Sequence, residues 1–295
     1  MVHYQYLPRG GVIGNSLFFF ISGFTLFLGS TPRFDNWYKR RVNRIFPTVF
    51  AWAILSCAVF GNDRNILEII WKGGGWFVSC ILLYYLAMYP IKKFAKDKLY
   101  QTFSVLATVV LALYFTYGYK VGPYDSMPYF NFNWSLYFLF MLFGAIIGTK
   151  WKSIDYSHPK KNFIVLSGCF IIFYGILLAV KLFIRIPQFN ILSVIPLFGI
   201  VYYMFKVCNS SVLLRIYNNK VAGFAFKLIG SLCLEIYIVQ TPLFTTKMNS
   251  LFPLNILIMF MIILVAAYIL RCSARIFAQT FNESDYDWKE VFRVV

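Results

Sequence analysis

Hydrophobic residues in this chain gather in long runs separated by short polar breaks. Nine runs can be marked, over about 12–29, 45–60, 74–91, 99–117, 131–149, 162–180, 189–205, 228–246 and 254–270. Each is near the ~20 residues a helix needs to cross a hydrocarbon core about 30 Å thick, and the shorter ones call for tilt or local thinning of the bilayer. A helix satisfies its own backbone hydrogen bonds, which lipid cannot do for it. The pattern predicts an all-α, polytopic integral membrane bundle with nine crossings. The longest break, 206–227, leaves no room for an inserted soluble domain, and no internal repeat is visible. Residues 1–275 read as one membrane domain. Residues 276–295, with Glu283, Asp285, Asp287 and Glu290, read as a short polar tail.

The polar breaks add orientation. Of the 28 lysines and arginines, 21 fall in alternate connectors and 7 in the others. That asymmetry places the connector 31–44, with Arg33, Lys39, Arg40, Arg41 and Arg44, in the cytoplasm together with the tail. The setting is a multi-pass protein of the plasma (inner) membrane. Nine crossings then put Met1 on the far side, with about eleven residues and no signal peptide before the first run. A missing upstream helix, from a ten-helix protein, accounts for this most simply.

Composition agrees with the class. The chain is 60% hydrophobic and 13% charged, against about 25% charged in soluble domains. The net charge of +17 raises nucleic acid as a partner. Yet the charge sits in short loops, with no compact basic domain and no zinc or helix-turn-helix pattern, so anionic lipid headgroups are the expected partner. Six scattered cysteines without a CxxC pair, and two histidines, predict neither a disulfide scaffold nor a metal site.

A few residues could carry chemistry. Glu235 is the one acidic residue inside an apolar run, in GSLCLEIYIVQTPLF, with Ser231 one turn earlier on the same face. A carboxylate there costs about 2.5–3.5 kcal/mol to insert, so it must face the bundle interior or water. It reads either as a proton-handling or substrate-orienting group, or as a neutral or lysine-paired residue joining two helices. Arg41 and Arg44, three apart, share a helical face. Their forked guanidinium groups suit phosphate oxygens, and they equally serve topology. Asn15, Ser22 and Gly29 recur every seven residues in the first run, a stripe for close helix packing or for lining a cavity. Trp76, Trp134 and Tyr137 fit an interfacial aromatic belt or stacking on a sugar. His3 titrates near neutrality, as a general base for a hydroxyl nucleophile must.

Four stretches, in order, resemble acyltransferase family 3, the membrane enzymes that modify cell-surface polysaccharides and lipids. GVIGNSLFFFISGF is similar to that family's Phe-Phe helix, and WYKRRVNRIFP to its basic Arg-x-x-Arg turn ending in Arg-Ile-x-Pro. GGWFVSCILLYYLAMYPI is similar to its Trp-Phe helix with a later Tyr and Pro, and IGSLCLEIYIVQTPLF to its Ser-x-x-Ile-Tyr-Leu late helix. The resemblance spans nearly the whole chain and implies ten core helices. His3 falls on the family's catalytic histidine, fifteen residues before Phe18, while the basic partner eleven positions earlier would precede Met1. It implies that His3 deprotonates an acceptor hydroxyl and that Arg41 and Arg44 bind the acyl-CoA donor; beyond the resemblance, acetyl-CoA is the expected donor and Glu235 is expected to assist His3. The implied acceptor is a surface polysaccharide or a lipid-linked saccharide. Asn15 and Gln240 stand where many members carry an acidic residue and a histidine. Two rival readings remain beside this one, a glycan or lipid transporter (flippase) and an inactive, N-terminally truncated fragment.

Overall fold

A computed structural model describes residues 11–60, 75–118, 132–184, 187–281 and 285–294. Among them the secondary structure is helical, with no strand. The α-helices are α1 (Gly11–Leu28), α2 (Phe34–Phe60), α3 (Trp76–Phe94), α4 (Leu99–Leu113), α5 (Phe132–Thr149), α6 (Pro159–Ala179), α7 (Val194–Cys208), α8 (Ser211–Tyr217), α9 (Lys220–Ser231), α10 (Cys233–Leu243), α11 (Leu254–Thr280) and α12 (Trp288–Val291). Seven spans among the described residues are long and apolar enough to cross a membrane, or eight if the bent pair α9–α10 is counted as one broken span. The predicted run at 131–149 is observed as the helix α5. The chain is an all-α, multi-pass membrane bundle.

Local sequence explains several helix ends. Pro32 disfavours helical backbone at Thr31 and separates α1 from α2. Pro159 opens α6 at its first turn, where a missing N–H costs nothing. The Asn219 side chain caps α9 by accepting from the backbone N–H groups of Val221 (3.0 Å) and Ala222 (3.3 Å). Gly75, at φ +114°, leads into α3 with a backbone that only glycine adopts easily.

The described helices divide into two compact units, one of residues 1–31 and 88–215 and one of residues 32–87 and 216–295. In the first, α1 lies along α5, α6 packs on α7, and α4 on α5. Phe19 and Phe20 are fully buried on the inner face of α1. Aromatic pairs tie the unit together: the Phe140 and Phe198 rings stack 4.1 Å apart, and Phe24 meets Phe205 at 5.0 Å. The buried face of α1 is Ser16, Phe19, Phe20, Gly23, Leu26 and Phe27. The heptad stripe Asn15–Ser22–Gly29 therefore runs beside the packed face, and Gly23 alone of the Ser22–Gly23 notch is buried in it.

In the second unit α2 and α10 pack on α11. Their core joins Ala51, Leu232, Ile238, Val239, Ile263, Ala267, Leu270 and Ala274. Phe50 stacks on Phe277 at 5.3 Å, and Phe77 meets Tyr237 at 4.3 Å. The segment expected as a polar tail is the end of α11 followed by α12. Arg275 Nη1 donates to the carbonyls of Glu290, Val291 and Arg293, and the Tyr268 hydroxyl donates to that of Phe292 at 2.8 Å. Val291 is fully buried by this clasp.

Candidate functional site

The basic stretch expected as a connector is largely helix. α2 begins at Phe34, so Lys39, Arg40, Arg41 and Arg44 occupy its first three turns, and only Arg33 precedes it. Helical spacing thus holds for Arg41 and Arg44, but the two are built differently. The Arg41 guanidinium lies over the ring of fully buried Trp37, 4.0 Å from its centroid, and 6.0 Å from that of Tyr85. Its Nη1 donates to the Trp37 carbonyl at 3.1 Å, and Trp37 Nε1 donates to the Tyr85 carbonyl at 3.4 Å. Ring stacking of this kind is worth about 0.5–2 kcal/mol and fixes the plane of the guanidinium while leaving its charge in place. Arg44, one turn further on, is exposed. A held arginine beside a mobile-length exposed one is a good cradle for an anionic group with several oxygens.

One turn past Arg44, Thr48 is buried and stands near the Glu235 carboxylate. This joins the two sequence-predicted features, the arginine turn and the buried acid, within one unit. Glu235 sits in the first turn of α10, just after α9 and α10 break by 70°. It is 7% exposed, and its Oε2 has no hydrogen-bond partner among the described residues. Arg271 and Arg275 of α11 act on the carboxylate electrostatically. Arg271 Nη1 donates to Ser231 Oγ at 2.6 Å, and Ser231 Oγ in turn donates to the Leu228 carbonyl at 2.8 Å. The neighbours of Glu235 are therefore arginines and a threonine in place of the lysine that a simple helix-joining pair would use. Thr48 and Arg271 were not singled out in the sequence. Thr48 follows Pro47 in an apolar run, and Arg271 is forty residues from Ser231, so no spacing rule connects them.

The shared carboxylate makes a testable coupling. Glu235→Leu and Thr48→Val should each lower stability by about 1–3 kcal/mol, because each removes a polar neighbour from a buried polar group. The double variant should lose less than the sum, by at least about 0.5 kcal/mol, in melting curves of the purified protein in detergent. Strict additivity would show that the two side chains are not a unit.

Asn15 donates from Nδ2 to the Tyr137 hydroxyl at 3.5 Å, which brings two predicted candidates together in the first unit. His3 lies outside the described residues. Among the described residues no three His, Cys, Asp or Glu side chains gather as metal ligands.

A family model described as an acyltransferase domain matches residues 2–272. No curated protein and no solved structure matches the chain. The match covers all but the last part of a chain built from membrane-crossing helices, with the Arg-x-x-Arg turn and the late acidic helix in place. This protein belongs to acyltransferase family 3 and is a multi-pass membrane acyltransferase.

Proposed function

We propose that the protein is an O-acyltransferase of the cell envelope, moving acetyl from acetyl-CoA to a hydroxyl of a surface polysaccharide or a lipid-linked saccharide. The observation that carries this reading is the arginine turn of α2, with Arg41 stacked on Trp37 and Arg44 exposed, in a chain of this family. The charge asymmetry of 21 against 7 supports placing that turn and the C-terminus on the cytoplasmic side of the inner membrane, where coenzyme A resides. Arg41 and Arg44 then hold the donor's phosphates. His3 takes the proton of the acceptor hydroxyl as its oxygen attacks the thioester carbonyl. The carbon–sulfur bond breaks, and the proton passes from the imidazolium to the departing thiolate. Glu235, with one carboxylate oxygen unpartnered, is assigned to orienting a hydroxyl or assisting the proton transfer.

The test is transfer of labelled acetyl from acetyl-CoA to envelope glycan in membranes carrying the protein. His3→Ala should lower the rate by about 10²–10⁴-fold, the usual contribution of a general base. Arg44→Ala should raise the KM for acetyl-CoA with little change in kcat. Undiminished transfer by His3→Ala would sink the base assignment. A broken helix beside a buried carboxylate is also a feature of transporters. Glycan or lipid movement by the purified protein without consumption of acetyl-CoA would favour that second reading.

A further inference from the structure

A second cationic feature lies wholly within the first unit, and none of its residues takes part in the assignments above. Where α1 and α5 end, a cavity of about 350 Å³ is lined by Phe27 and Leu28 together with Lys96, Lys150 and Lys152. The lysines come from two different connectors, α3–α4 and α5–α6, so the cluster is made by folding and is not one basic run. All three are exposed.

The hydrogen-bonding capacity of the lining selects the ligand. Two hydroxyls also line the cavity, but the Thr149 hydroxyl donates to the Ile146 carbonyl and the Ser153 hydroxyl to the Lys150 carbonyl, both at 2.8 Å. Their protons are already used, which leaves the lysine ammonium groups and the Trp151 indole N–H as side-chain donors in the lining. No carboxylate lines it. Asp97, next to Lys96, is not among the lining residues. Asp155 of the α5–α6 connector turns to its own loop, accepting from the Ser157 backbone N–H at 2.8 Å and standing 3.9 Å from His158 Nε2. The Lys150 ammonium rests 4.7 Å from the Tyr100 ring centroid and that of Lys152 5.9 Å from that of Trp151. Aromatic faces steady an ammonium without neutralising it. With three ammonium groups and no carboxylate in the lining, an anion is well served here.

The apolar lining narrows the choice further. Two apolar side chains at the end of a membrane helix, an exposed tryptophan of the kind that marks the headgroup level, and three lysines in the same lining form an amphipathic site. Free phosphate has no use for the apolar part. We infer that this cavity binds the phosphodiester headgroup of an anionic phospholipid, with the lysines on the phosphate and the glycerol and first acyl carbons on Phe27 and Leu28.

Purified protein in detergent, titrated with short-chain phosphatidylglycerol and followed by native mass spectrometry, tests this. Juxtamembrane lysines contribute about fivefold each to binding of anionic lipid. The triple variant Lys96→Gln, Lys150→Gln, Lys152→Gln should therefore lose at least tenfold in affinity, and the single variant Lys152→Gln a few-fold, each with an unchanged melting temperature. Short-chain phosphatidylcholine, inorganic phosphate and coenzyme A should neither bind there nor displace the phosphatidylglycerol. Retained affinity in the triple variant would place lipid binding elsewhere and overturn the site. Displacement by phosphate or coenzyme A at similar concentration would show a general phosphate site and overturn the lipid assignment.

Discussion

Gly144→Leu should leave almost no folded protein to purify. α1 and α5 approach so closely that a Cβ built on Gly144 would overlap the Phe20 carbonyl, and one on Gly23 would overlap the Met141 carbonyl. A Cβ on Gly148 would sit 2.7 Å from the Phe24 carbonyl oxygen. In each case the obstacle is backbone, which cannot swing aside as a side chain can. Helices in lipid gain little from a hydrophobic effect between them and are held by van der Waals contact at such small-residue seams. Alanine at position 144 is expected to cost about 1–3 kcal/mol through overpacking, and leucine more, because the two helices must separate along their length. Gly168 and Gly175 on α6 have open space where a Cβ would point, so leucine at either is the matched control. Yield of monodisperse protein and melting temperature read the outcome. A Gly144→Leu variant that purifies and melts like the controls would disprove the tight seam.

Lys92→Met should also be destabilising, for an electrostatic reason. Lys92 is 4% exposed, and its ammonium donates to the carbonyls of Leu26 (2.6 Å), Gly29 (2.6 Å) and Ser30 (3.1 Å). Three donors meet three acceptors, so the group is satisfied. The acceptors are the carbonyls left open at the C-terminus of α1, where the helix dipole also favours a cation. Methionine has similar reach but no donors; it strands the buried Leu26 carbonyl and leaves those of exposed Gly29 and Ser30 to water. A loss of about 1–3 kcal/mol is expected, as for a buried acceptor left without its donor. Melting curves and limited proteolysis around residues 29–33 check it, with Lys93→Met as control because Lys93 is exposed. Equal effects from the two substitutions would reject the capping role.

These cases show where the sequence was legible. Long apolar runs mark the helices because lipid imposes one requirement on all of them. The start of α2 was missed by eleven residues, since its first three turns are polar and basic and carry no apolar signal, although they are helical. The packed face of α1 was also out of phase with the visible stripe. Phenylalanines at 19, 20 and 27 bury as well as glycine does, so polarity is a poor guide to the inside of a membrane protein. The break at Leu232 has no proline or φ-positive glycine to announce it. Lys92 and Lys93 look alike in the sequence, and only the placement of the α1 carbonyls separates a buried cap from a surface charge.

At the site, the three-residue spacing of Arg41 and Arg44 was enough to place them on one face, and the rarity of an acid in an apolar run was enough to single out Glu235. What the sequence could not reveal is that Thr48 stands near Glu235, or that Tyr85 meets the Trp37–Arg41 pair, because both facts depend on which helices meet.

The capping of α1 by Lys92 has a consequence for biogenesis. Alone in a bilayer, α3 carries an ammonium whose best refuge is the headgroup layer, reached by stretching its stem. Its proper acceptors belong to a helix synthesised some sixty residues earlier. By the time the ribosome delivers α3, α1 has already been made, and docking of the two draws the charge inward. The chain thus supplies the acceptors before the cation that requires them, so the vectorial order of synthesis itself shields α3 from stalling as a half-inserted segment.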